Sequence, residues 1–192
     1  MKTLLRLLLA VLVIAAIAFG VWYFVLNRPV DLQPRPAGTD GALAWAYGLA
    51  LNPARTALAP DAVLVEAEAS DVLPDGRLAA NRGEWRLSFS SFSANGRILM
   101  TINYEGTVTT SAITPPGVIH PLGSPPGTFP NSIAIFSSTL GHGASGTRTV
   151  VNPVRCTYDG VAGAHVWKIT FRVNDASETH QVRWDNVWLS VS

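Results

Sequence analysis

Trp85-Arg86-Leu87-Ser88-Phe89 returns 82 residues later, without a gap, as Trp167-Lys168-Ile169-Thr170-Phe171. In each copy the large apolar side chains take alternate positions with polar ones between them, the period-two signature of a strand buried on one face. Each copy therefore supplies a core strand, and the chain is a duplication candidate. The match is best from Trp85 to Ala94 against Trp167 to Ala176, with three identities and three conservative pairs in ten positions. Register is lost towards the ends.

Charge is scarce. Asp, Glu, Lys and Arg make up 14% of the 192 residues, against roughly 25% in typical soluble domains. The net charge is +1, with no basic run and no basic residues interleaved with aromatics, so the electrostatic footprint of a nucleic-acid binder is missing. The single cysteine, Cys156, rules out an internal disulfide and a cysteine-built metal site. On an apolar strand it reads as a small buried hydrophobe.

Leu4 to Leu26 is a 23-residue run interrupted only by Arg6. That length spans a hydrocarbon core about 30 Å thick, so a single-pass transmembrane helix is expected over residues 1–26, counting the short basic tip. Trp22 and Tyr23 stand at its far end, where amphipathic rings favour the membrane interface, and Asn27-Arg28-Pro29 stops it. The arrangement reads as an uncleaved signal anchor, with the N-terminus cytoplasmic and the bulk of the chain periplasmic or extracellular. A cleaved signal peptide, cut after Ala18, is the competing reading and would give a secreted protein.

Residues 27–39, with Pro29, Pro34, Pro36 and Gly38, form a stiff spacer. A first α+β module is expected over 40–113. It begins with a helix from Gly41 to Leu51, capped by Thr39 or Asp40, with Leu43, Tyr47, Ala50 and Leu51 on one stripe and Trp45 and Leu49 off it. Strands follow over Ala62 to Ala69, through Trp85, over Arg97 to Tyr104 and near Thr107 to Ile113. In the first of them Val63, Val65 and Ala67 take one face and Leu64, Glu66 and Glu68 the other. Turns fall at Leu73-Pro74-Asp75-Gly76, Ala94-Asn95-Gly96 and Glu105-Gly106.

Residues 114–130 hold six prolines, among them Pro116 and Pro126. They form neither helix nor central strand and read as a linker, with an ordered functional loop as the alternative. A second α+β module, 131–192, opens with Asn131 or Ser132 as cap and Ile133, Phe136 and Leu140 at helical spacing, closed by Gly141. Strands are expected over Thr147 to Tyr158, Ala164 to Val173, Thr179 to Trp184 and through Val187, Trp188, Leu189 and Val191. Pro153 demotes the first of these to an edge or a bulge.

In the first copy, the order helix, Ala59-Pro60-Asp61-Ala62-Val63-Leu64-Val65-Glu66, Trp85-Arg86-Leu87-Ser88-Phe89, Arg97 to Tyr104 and Glu105-Gly106-Thr107-Val108 resembles the PepSY-like, cystatin-like modules of bacterial envelope proteins. The resemblance covers about 70 residues. It implies a helix packed on an antiparallel sheet and a non-catalytic role in binding or regulating other envelope proteins.

Motifs of chemistry are weak. Gly141-His142-Gly143-Ala144-Ser145-Gly146 matches the letters of a dinucleotide loop, but the strand that should precede it and the helix that should follow it are reversed. His120, His142, His165 and His180 show no two-histidine ligand spacing. Glu66 and Glu68 share a strand face and form an acid–base pair only if a neighbour raises one pKa. The expectation is therefore a non-catalytic accessory subunit of a membrane complex, with no cofactor, no metal and no small molecule. Its partners would be other membrane proteins, met through the transmembrane helix and through apolar faces carrying Trp22, Tyr23, Trp45, Leu49, Pro116 and Pro126. The alternative is a periplasmic ligand-binding protein or small enzyme with its site between the modules.

Overall fold

The computed structural model describes residues 40–122 and 131–192. Two helices and eight strands follow one another as α1 (Leu43–Ala57), β1 (Val63–Ser70), β2 (Glu84–Ser91), β3 (Gly96–Asn103), β4 (Val108–Thr110), α2 (Ser132–Ser138), β5 (Arg148–Asp159), β6 (Ala164–Val173), β7 (Ala176–Arg183) and β8 (Trp188–Val191). A helix followed by a four-stranded meander thus occurs twice. The two meanders do not form separate modules. They join edge to edge through β1 and β5 into one eight-stranded antiparallel sheet, ordered β4-β3-β2-β1-β5-β6-β7-β8. The expected fold of a transmembrane helix followed by two tandem helix-plus-antiparallel-sheet modules is corrected to one antiparallel sheet with two helices.

The reason for the single sheet lies in small side chains on the two joining strands. Ala69 of β1 sits in register between Trp85 and Val154, while Cys156 of β5 sits between Trp167 and Ala67. Alanine and cysteine leave space above the join that neither meander fills alone. The two repeated tryptophans fill it from β2 and β6, meeting edge to face with ring centroids 6.2 Å apart. Both are fully buried, and such aromatic pairs add roughly 0.5–1.5 kcal/mol to their area burial.

Both helices lie on the face that carries these tryptophans. Tyr47 of α1 stacks on Phe89 at 6.0 Å, and Phe136 of α2 meets Phe171 edge-on at 6.1 Å. Leu122 is buried with them, its N–H donating to the Leu64 carbonyl at 2.7 Å. The halves also share the start of α1: the Leu43 N–H donates to Ser132 Oγ at 3.0 Å, and that hydroxyl donates to the Gly76 carbonyl at 2.7 Å. A second-half serine thereby satisfies one of the unpaired donors that every helix N-terminus leaves. Asp40 accepts from the Ala42 N–H at 2.8 Å.

Several expected boundaries shift for local reasons. α1 runs on through Pro53 to Ala57, because Ala54 is fully buried and holds the last turn against the sheet. In β1 a bulge between Leu64 and Glu66 sends Leu64 to the core with Ala67 and Ala69, not to the face of Glu66 and Glu68. Pro153 lies at an irregularity of β5 between Val151 and Arg155, within a strand paired on both sides. Ile135 and Phe136 are the buried apolar side chains of α2, while Leu140 is largely exposed.

The expected transmembrane helix, Leu4 to Leu26, lies outside the described residues. Among the described residues no helix is long and apolar enough to cross a membrane. α1, the longer of the two with 15 residues, extends about 22 Å at 1.5 Å per residue. The single-pass, signal-anchor description is corrected to that of an antiparallel sheet with two helices on one face.

Candidate functional site

Trp45 and Leu49 come together on the outer side of α1. The β3–β4 turn passes beside them at Gly106, where φ is +89° and an added Cβ would stand 3.3 Å from the Trp45 ring and 3.4 Å from Leu49. Glycine is required there by conformation and by closeness at once. Trp45 is half-buried and packs against the core, whereas Leu49 is exposed. The exposed positions of α1 up to the proline are Ala44, Gly48, Leu49, Asn52 and Pro53, none charged. Gly48 has open space around its missing Cβ. Pro116 is half-buried in the segment after β4; Trp22, Tyr23 and Pro126 lie outside the described residues.

No described helix covers the opposite face of the sheet. One row across its four central strands carries Arg86, Glu68, Arg155 and Lys168 in register. Glu68 lies 2.6 Å from Arg155 Nε and 3.5 Å from Arg86 Nη1. Arg86 also pairs with Glu84 at 2.7 Å and Lys168 with Asp159 at 3.6 Å. The neighbouring row carries the shorter Leu99, Ser88 and Thr157, and between the rows lies a basin of about 380 Å³. Glu66, which also lines it, pairs with Arg97 of β3. Both glutamates are thus engaged by guanidinium groups of neighbouring strands, an arrangement of structural ion pairs.

The glycine loop has a structural explanation. An added Cβ at Gly143 would stand 2.5 Å from the Glu178 carboxylate, and one at Gly146 would stand 2.9 Å from the Asn174 side chain. The Ala144 N–H donates to Glu178 Oε2 at 2.8 Å, so an internal carboxylate takes the place an anion would need. That bond, with a further one from His180, holds the Glu178 carboxyl below the usual carboxylate range. Arg148, itself nearly buried, closes the clasp: it lies 3.2 Å from Glu178 and donates to the carbonyls of Thr139, His142 and Ala144.

The histidines are packing groups. His120 stacks on Tyr158 at 3.6 Å and His142 on Trp188 at 3.9 Å. His165 Nε2 lies 2.8 Å from the Val65 carbonyl, and burial pushes its pKa down. His180 is fully buried, with Nε2 3.0 Å from Glu178 and Nδ1 unpartnered. Among the described residues no group of three His, Cys, Asp or Glu side chains is placed to hold a metal ion. Burial also raises the Cys156 thiol far above its usual value, leaving it inert as a nucleophile.

No family model, no curated protein and no solved structure matches this chain. The basin residues escape motif reading because they are separated in sequence and meet only through strand register. Their trace in the sequence is Arg86, the polar position that follows the first repeated tryptophan.

Proposed function

We propose that the protein is a non-catalytic interaction subunit that docks another polypeptide on the outer side of α1. The observation that carries this reading is the absence of charge from that side ahead of the last turn: Ala44, Gly48, Leu49, Asn52 and Pro53 face solvent before Arg55 brings the first charge. A helix exposed to water ordinarily carries charge there, whereas the centres of protein interfaces are depleted in Lys, Glu and Asp. The small side chains at Ala44 and Gly48 let a partner backbone approach closely, and Leu49 supplies an apolar knob beside them. The inert thiol and the guanidinium-bound glutamates support a role without catalysis.

Leu49→Glu is the direct test, since Leu49 is exposed while Trp45 is needed by the fold. In native mass spectrometry of the gently extracted protein, the parent is expected in a complex and Leu49→Glu as a free chain with an unchanged melting temperature. A parent that runs as a monomer under the same conditions contradicts the reading.

A further inference from the structure

We infer that the open face of the sheet carries a separate binding site, in which the basin over the β1–β5 join receives a small hydroxylated carboxylate of the sugar-acid class, with Arg155 as its anion-binding group. The inference does not rest on the docking role of α1, which lies on the other face. The nitrogen of Arg155 nearest to Glu68 is Nε, at 2.6 Å, and among the described residues its two Nη groups donate no hydrogen bond. They leave a planar fork whose geometry matches a carboxylate. Arg86 stands in the same row on the other side of Glu68, so two guanidinium groups flank one carboxylate on three adjacent strands.

The second row defines what else the ligand must carry. Ser88 and Thr157 present hydroxyl groups at the floor of the basin without a partner among the described residues, and Leu99 contributes one apolar side chain. Hydroxyls on the ligand can exchange hydrogen bonds with both and donate to Glu66. The two glutamates in the lining disfavour a phosphate or a polyanion, whose added negative charge would face them. A volume of about 380 Å³ falls within the range of small-molecule sites. A monoanion with neighbouring hydroxyls is the chemistry that answers all of these groups at once.

Titration of the full chain with glucuronate, glucose and inorganic phosphate, followed by calorimetry and by amide chemical shifts, tests this. Saturable binding of glucuronate alone is expected, with shifts at Glu68, Ser88, Arg155 and Thr157. Arg155→Gln should weaken it about tenfold or more, the scale of a lost charge-assisted pair. Glu68→Gln removes the same ion pair but frees the Nε of Arg155, so it should strengthen binding. Thr157→Val, which leaves every ion pair intact, should weaken it. The inference is overturned if no probe binds saturably, if phosphate binds as well as glucuronate, or if Arg155→Gln and Glu68→Gln change affinity in the same direction.

Discussion

Single residues carry two opposite lessons about glycine. Gly48 is exposed in mid-helix, with nothing near its missing Cβ, so Gly48→Ala should stabilise the fold by about 0.5–1 kcal/mol through the entropy of the unfolded chain. A rise in the urea midpoint of the variant checks this. Gly143, with φ +81° and the Glu178 carboxylate where its Cβ would go, should lose stability on the same substitution. Cys156 offers a further check at this scale. Its thiol is fully buried, so a thiol reagent should label it only after denaturation, and fast labelling of the native protein would contradict its place at the join.

At the level of elements, the clasp made by Arg148, Glu178 and His180 fixes the loop between α2 and β5. Its pH dependence follows from the lowered pKa of Glu178, caused first by the Ala144 N–H and then by His180. A carboxylate with a depressed folded pKa contributes stability that is fully present above its unfolded value and is lost as pH falls through the folded one. Stability should therefore decline below the ordinary value of 4.5, and Glu178→Gln should lower the melting temperature at neutral pH while flattening that acid decline. Melting curves at several pH values distinguish this from a parallel shift at all pH.

Elements were legible in the sequence wherever one face of a strand is buried. Trp85, Leu87 and Phe89 announce β2, and Ala164–Val173 is both the expected and the observed extent of β6. Legibility failed where tertiary contacts overrode a local rule. Pro53 forecasts a helix end, yet burial of Ala54 carries α1 through it, and the β1 bulge, which no local pattern marks, reverses the face of Leu64. Of the candidate docking residues, Trp45 and Leu49 both lie against Gly106, but only packing on the core shows that Trp45 is half inside. The basin was illegible because its rows exist only after β1 and β5 have paired.

For the molecule as a whole, the pairing of β1 with β5 decides whether this chain is one folding unit or two. Trp85 and Trp167 belong to different halves but touch across the join, and truncating a buried tryptophan to alanine costs roughly 3–5 kcal/mol. In two independent modules each truncation would act on its own half. In one sheet both act on the same transition, and their effects are not additive because the rings are in contact. The decisive measurement is urea unfolding of the parent, Trp85→Ala, Trp167→Ala and the double variant, followed by fluorescence and far-ultraviolet circular dichroism. A single sheet predicts one coincident transition in every chain, lowered by either substitution, with a coupling energy of at least about 0.5 kcal/mol. Two transitions, each moved by only one of the substitutions, would contradict it.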